Sequence, residues 1–179
     1  AESKHKMDAL VEELVRFENL IDRDAPMEEV LPSIYYSHIE KYKGYSIRQL
    51  CQEMHDFYKS RNVSLLQQRL FSREYFPDYV MNPQEANFEF QRNKGELVPL
   101  REAEGRIALE GALPYPPGVL CVQPGERWSK TACDYFLALE EGINLLPGFA
   151  PEIQGVYITE QSNGYKQAYG YVLKKEYKM

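Results

Sequence analysis

The sequence predicts an α+β fold: a helical N-terminal half, then short antiparallel strands, one helix and a C-terminal β-hairpin. Three observations carry this expectation. Up to about residue 93, apolar residues recur every three or four positions, the period of a helix with one buried face. Beyond it, short apolar runs are broken by Gly and Pro, as strands are. Ser162-Asn163-Gly164 then separates two such runs, and Asn-Gly accepts the positive φ angles of a tight hairpin turn. Helices and strands are segregated rather than alternating, which argues against βαβ units.

The elements follow in order. Residues 4 to 22 read as an amphipathic helix with Ser3 as N-cap and Met7, Leu10, Leu14, Phe17 and Ile21 on a buried face. Asp24-Ala25-Pro26 reads as a new helix start, because proline costs nothing early in a helix. Pro32 interrupts that stretch, and a helix over about 33–42 carries Ile34, Tyr35 and Ile39. Gly44 ends it. Ser46 and Gln49 form a capping box for a helix reaching about Ser60, burying Ile47, Leu50, Cys51, Met54 and Tyr58. Residues 64–71 add a helical piece around Leu65, Leu66 and Leu70. Asn82-Pro83-Gln84-Glu85 marks another start, with N-cap, early proline and an acid in the first turn. Strands are expected at 96–100, 105–109 and 118–122. A helix over about 130–141 buries Tyr135, Phe136 and Leu139 and stops at Gly142. Strands at 153–160 and 165–173 form the hairpin.

The 179 residues suit one domain with its own core, and a hydrophobic share of 44% supports folding over disorder. A formal charge of -6 with no basic block argues against a nucleic-acid partner. Three cysteines with no CxxC pair argue against a disulfide framework. No leader-like segment opens the chain and no apolar run approaches a membrane span. The expectation is therefore cytoplasmic, with no membrane association, and the sequon at Asn62 reads as a chance match. Fourteen tyrosines suit surfaces buried against a partner.

Motifs for chemistry are sparse. Cys51 and His55 could share a helix face, but two ligands do not make a zinc site; a buried cysteine beside a satisfied histidine is the better reading. Cys133 reads as a small apolar filler inside a helix. No nucleophile elbow or phosphate-binding glycine loop occurs. Glu140-Glu141 reads as a solvated helix end. Ser3-Lys4-His5-Lys6 spells a lysine motif of some pyridoxal-phosphate enzymes. A Schiff-base lysine must, however, be desolvated and backed by a phosphate cup and an acid, which the five residues before Lys6 cannot supply.

The stretch 110–126, EGALPYPPGVLCVQPGE, holds four of the eleven prolines and a glutamate at each end. Prolines 114, 116 and 117 fix φ and push their predecessors toward extended backbone, so the segment should hold its shape without a ladder of hydrogen bonds. It reads either as a brace between two strands or as a rigid wall beside a substrate path or cofactor. Tyr115, Glu110 and Glu126 are the candidate site residues for the wall, and the two glutamates could draw in a cationic ligand.

Gly105-Arg106-Ile107-Ala108, the run from Gly111 to Gly118, Pro124-Gly125-Glu126 and FLALEEGINLLPGFAPEIQGVY (136–157) together resemble the C-terminal part of the bacterial Orn/Lys/Arg decarboxylases. GYSIRQLCQEMHDFY (44–58) and MNPQEANFEF (81–90) resemble the same family, with its ornithine-acting members nearest. The resemblance runs from about residue 8 to 173. It implies a large cytosolic enzyme with an aminotransferase-like core that uses pyridoxal phosphate to convert L-ornithine to putrescine and carbon dioxide. It further implies that this chain is one C-terminal domain, residues 1–179, with 1–43 a helical connection from the preceding domain and 44–179 the domain proper. The cofactor and every catalytic group would lie outside it. Its partners would be the upstream domains of the same chain and a homodimer or larger homo-oligomer, and its role would be in assembly and at the active-site entrance. No residue carries over as catalytic, cofactor-binding or metal-binding. The alternatives are an interaction module offering a polyproline segment to an aromatic groove, or the same domain of a lysine or arginine decarboxylase.

Overall fold

The fold is taken from a computed structural model, which describes residues 2–115 and 118–177, with Glu2 as backbone only. Pro116 and Pro117, expected to stiffen the proline segment, lie outside the described residues. The chain divides into two compact units, Ala1–Phe57 and Tyr58–Met179, and each is described by itself.

The first unit is helical: α1 (Glu2–Asp22), α2 (Met27–Val30), α3 (Pro32–Ser37), α4 (Ile39–Tyr42) and α5 (Ile47–Ser60), the last crossing the division. Ser3 lies inside α1 rather than capping it. The expected 33–42 helix is broken at His38, whose φ of -135° and ψ of 42° are not helical. Ser46 and Gln49 form the expected reciprocal cap: each backbone N–H donates to the other's side chain, at 2.9 and 3.3 Å. A second device ties α1 to α5. Arg48 donates through its guanidinium to the carbonyls of Ile21 (3.0 Å) and Asp22 (2.8 Å) at the end of α1. Asp24 in turn accepts from the Arg48 backbone N–H in the first turn of α5. Each helix end thereby gains a partner of the charge its dipole favours. Leu20, Ala25, Met27, Tyr42, Ile47 and Leu50 form the buried set.

The face of α1 is where expectation and structure part. Met7, Leu10, Leu14 and Phe17 were expected to be buried, yet they are 58, 52, 59 and 44% exposed. Among the described residues of α1, only Leu20, outside that stripe, is buried, and Ile21 is half-buried. On α5, Cys51 and His55 are both exposed rather than packed inside.

Among its described residues the second unit contains α6 (Val63–Leu70), α7 (Pro83–Gln91), α8 (Lys130–Leu145) and five strands: β1 (Gly95–Pro99), β2 (Leu113–Tyr115), β3 (Glu152–Gln154), β4 (Val156–Glu160) and β5 (Lys166–Leu173). All pairing is antiparallel, in a three-stranded sheet ordered β1-β5-β4 and a two-stranded one of β2 and β3. The predicted 153–160 strand is split at Gly155, where φ is +72° and an added Cβ would sit 1.8 Å from the Gly111 carbonyl oxygen. That close approach lets the chain leave one sheet and enter the other. Asn82 caps α7 as expected, its side chain accepting from Glu85 N–H at 2.8 Å while Glu85 returns the bond. Residues 105–109 and 118–122 do not form strands; they contribute single bridges, such as Ile107 to Arg127 and Ala112 to Val122.

The core sits between α8 and the three-stranded sheet. Trp128, the only tryptophan, is 1% exposed and stands edge-on to Phe136 at 5.7 Å, a favoured aromatic geometry. Leu100, Val122, Phe136 and Val172 are fully buried around it. Cys133 is buried in the same cluster. Helix α8 does not stop at Gly142 but runs on to Leu145, because Gly142 and Ile143 continue the buried face and packing outweighs the modest helix cost of glycine.

Candidate functional site

The stretch 110–126 folds as two arms and a tip. The arms are tied by Ala112 and Val122: Ala112 N–H donates to the Val122 carbonyl and Cys121 N–H to the Ala112 carbonyl, both at 2.9 Å. One arm is also β2, paired with β3 through Leu113–Gln154, Pro114–Ile153 and Tyr115–Glu152. Hydrogen bonds therefore do hold the segment, contrary to the expectation that prolines alone would. At the base, Gly125 N–H donates to the Ala108 carbonyl (2.8 Å) and Ala108 N–H to the Glu126 carbonyl (2.8 Å). Gly125 has φ +92°, and an added Cβ would lie 2.0 Å from the Met81 carbonyl oxygen, so only glycine fits that corner. Ala108, Ala112, Pro114 and Val122 are buried. The base is thus a rigid part of the core.

The tip has the opposite character. Tyr115, Val119 and Leu120 are 52, 47 and 44% exposed, an apolar group lifted out of the fold by a buried stem. Beside it, Leu70 and Phe71 at the end of α6, together with Pro114, Val119, Cys121 and Tyr135, line an apolar cleft of about 340 Å³. Burial pushes the Cys121 thiol up to about 11, which leaves it a filler rather than a nucleophile at neutral pH.

The three candidate residues are not gathered into one site. Tyr115 projects at the tip. Glu110 accepts a hydrogen bond from the Tyr157 hydroxyl of β4 at 2.6 Å. That bond, with burial second, pushes the Tyr157 phenol up to about 12, so it remains a donor at physiological pH. Glu126 turns back on its own loop and accepts from Gln123 N–H at 2.8 Å. Both carboxylates therefore fasten the base, one to the sheet and one to the turn.

A second polar group departs from the sequence expectation. Glu140, expected at a solvated helix end, is 3% exposed. It accepts from Ala168 N–H (2.6 Å) and the Tyr165 hydroxyl (2.9 Å), and Arg101 stands 3.8 Å away. One turn on, Asn144 accepts from Lys166 N–H and donates to the Lys166 carbonyl, both at 2.8 Å. Strand β1 pairs with β5 only from Tyr169 to Leu173, so the edge of β5 at 166–168 lacks a strand partner there. Residues four apart on a helix rise about 6 Å, close to the roughly 6.6 Å between alternate strand residues. Glu140 and Asn144 thus replace the missing strand. A buried charge signals chemistry in many folds, but the partners of this one are structural.

Among the described residues no three His, Cys, Asp or Glu side chains are grouped to hold a metal ion. The Cys133 thiol is pushed up to about 12, chiefly by burial. No local pattern signals the bond between Tyr157 and Glu110, 47 residues apart. Glu140 and Asn144, at i and i+4 on a helix with apolar residues on either side, were a readable hint of inward-facing polar groups.

Residues 64–174 match the family described as Orn/Lys/Arg decarboxylase, C-terminal domain. The chain is 61% identical to ornithine decarboxylase of Haemophilus influenzae over 173 residues, and 62% identical to inducible ornithine decarboxylase of Escherichia coli over 174 residues. Each alignment covers 97% of this chain and 24% of the relative, so the chain spans about a quarter of the curated relatives' length. The solved structure of lysine decarboxylase A from Pseudomonas aeruginosa superposes with a TM-score of 0.86 at 30% identity, over 94% of this chain and 23% of that one.

Proposed function

This chain belongs to the Orn/Lys/Arg decarboxylase family as its C-terminal domain, and we propose that it serves, within a larger polypeptide, an enzyme that converts L-ornithine to putrescine and carbon dioxide. The observation that carries this reading is the identity of 61 and 62% to two ornithine decarboxylases over nearly the whole chain. The lysine decarboxylase of Pseudomonas aeruginosa is 31% identical, which favours ornithine over lysine as the substrate.

In such an enzyme pyridoxal phosphate supplies an electron sink for the carbanion left by loss of carbon dioxide. Lys6, the lysine whose motif suggests that cofactor, does not fit it. Lys6 lies on the exposed α1, whereas a Schiff-base lysine needs a desolvated pocket. On this reading the cofactor and catalytic groups belong to other parts of the enzyme, and the role of this domain is shape and contact. The loop 110–126 serves as a rigid contact at the active-site entrance or subunit interface, with Tyr115 the residue that meets the neighbouring surface. Glu110 and Glu126 act through the rigidity of its base. The domain works in the cytoplasm, as part of a homodimer or larger homo-oligomer.

The test compares this chain with the complete polypeptide, each given pyridoxal phosphate and L-ornithine. Carbon dioxide release and a visible Schiff-base band are expected from the complete polypeptide alone. Saturable Schiff-base formation by the 179-residue chain would refute the reading, as would a complete polypeptide that prefers lysine.

A further inference from the structure

The turn between β4 and β5 holds the one Asn-Gly step in the sequence, Asn163-Gly164, and lies wholly inside the second unit. Ser162, Asn163 and Gly164 are all exposed. Two backbone bonds close the turn: Gln161 N–H donates to the Tyr165 carbonyl at 2.8 Å, and Gly164 N–H donates to the Gln161 carbonyl at 2.9 Å. The Asn163 side chain folds back over it. Its Oδ1 accepts from Tyr165 N–H at 3.0 Å, the local bond that asparagine makes to the backbone two residues on.

This fold-back brings two reactive groups together. An Oδ1 tied to the Tyr165 N–H keeps the side-chain amide carbon beside the peptide nitrogen in between, that of Gly164. These two atoms close a five-membered ring, so attack is intramolecular and favoured by proximity. The Tyr165 N–H also sits on the oxygen that gains negative charge as the ring closes, as an oxyanion donor does. Approach is open, since nothing lies within 4 Å of the point where a Cβ on Gly164 would stand. The Gly164 bond to Gln161 opposes the reaction, because it occupies the attacking N–H. It is, however, one backbone bond at an exposed loop tip, the class that opens at the lowest free energy in a fold.

We propose that Asn163 is a site of spontaneous covalent modification that ends in aspartate and isoaspartate. The Gly164 nitrogen gives its proton to hydroxide and attacks Asn163 Cγ. The new N–Cγ bond forms, the Cγ–Nδ2 bond breaks, and Nδ2 takes a proton from water and leaves as ammonia. Water then opens the cyclic imide. Cleavage at Cγ restores the main chain with aspartate at 163; cleavage at the main-chain carbonyl carbon gives isoaspartate. One water is consumed and one ammonia released, with no oxidant or reductant. Either product adds a carboxylate to the turn, and isoaspartate routes the main chain through one extra carbon. The residues that follow are those that hold the sheet to α8, Tyr165 through Glu140 and Lys166 through Asn144. The reaction belongs to the chain itself, whether or not the complete polypeptide acts on ornithine.

Two other asparagines serve as internal controls. Asn62 and Asn93 are also exposed and also have positive φ, 51° and 57°. Val63 and Lys94 follow them, and each puts a side chain beside the nitrogen that would attack. The experiment holds the complete polypeptide at neutral and at mildly alkaline pH for several days. It follows each asparagine-containing peptide by its mass gain on conversion of amide to acid, and isoaspartate by methyl transfer from a protein-isoaspartate methyltransferase. Asn163 should convert ahead of every other asparagine and faster at the higher pH, because attack requires the deprotonated nitrogen. Gly164→Ala should slow it by about tenfold or more, since a methyl beside the attacking nitrogen misplaces it. Alanine at the φ of +81° found there also strains the turn, which alone would speed the reaction, so a slowing reads the lost access. Conversion of Asn62 or Asn93 before Asn163, or a Gly164→Ala rate equal to that of the unsubstituted protein, would overturn the inference.

Discussion

Helix α1 and helix α8 both carry apolar residues at helical spacing, Met7, Leu10, Leu14 and Phe17 on one and Ala132, Tyr135, Phe136, Leu139 and Ile143 on the other. In α8 that face is buried, down to 0% exposure at Phe136, and polar groups at Glu140 and Asn144 complete a sheet edge. In α1 the same periodicity stands in water, with Leu14 59% exposed. Periodicity therefore reports that a face needs a partner, not that the partner lies in the same stretch of chain. For α8 the partner, β5, follows it by some twenty residues. For α1 no partner for this face lies among the described residues of its own unit.

Substitutions can break or sharpen this contrast. The largest effect belongs in α8. Phe136→Ala should cost about 3–5 kcal/mol, because it opens a cavity in a packed core. Urea unfolding followed by fluorescence of the single tryptophan, Trp128, reads it directly. A cost near zero would mean that α8 is no better packed than α1. Next comes Glu140→Ala, which leaves the Ala168 N–H buried without its acceptor and should cost about 1–3 kcal/mol. Amide hydrogen exchange at Ala168 should rise in step, with Lys166, held by Asn144, as the comparison; an unchanged rate at Ala168 would show that α8 does not stand in for a strand.

Legibility in the sequence followed the same divide. Elements defined by local chemistry could be read: the Ser46 and Asn82 capping boxes, the β1 strand, the Asn163-Gly164 turn and the α6 helix. What failed depended on distant partners. Gly142 looked like a helix stop, but the core continued across it. Residues 105–109 and 118–122 looked like strands, but each found only single bridges because the chain around them folds into the two-armed loop. Cys51 looked buried by its place in the α5 pattern, yet α5 turns it to solvent. Of the candidate site, 110–126 stood out in the sequence by its prolines and glycines, but the hydrogen bonds that tie its arms at Ala112 and Val122 did not. The engagement of Glu110 by Tyr157 was not legible either, since no local pattern links residues 47 apart.

Smaller effects sharpen the picture of that loop. Tyr157→Phe removes the bond to Glu110 at the surface and should cost less than about 1 kcal/mol. Its signature is the pH dependence. A phenol raised from the ordinary value of 10.0 to about 12 favours the protonated folded form, so its contribution is complete below pH 10 and is lost as pH rises toward 12. Tyr165 (to about 12, by burial and then by its bond to Glu140) follows the same sign. Denaturation of Tyr157→Phe should therefore show a shallower alkaline decline than the unsubstituted chain; equal declines would mean that the Glu110 bond does not persist in solution. The smallest effect is expected in α1. Leu14→Ala in this chain should change stability by no more than about 0.5 kcal/mol, as for other surface substitutions.

The central claim is that the apolar face of α8 is packed within its own unit whereas that of α1 is not, and side-chain labelling by hydroxyl radicals tests it most directly. Met7, Leu10, Leu14 and Phe17 should be modified readily in the 179-residue chain, while Phe136 and Leu139 of α8 should be protected. Equal labelling of the two faces would contradict the account.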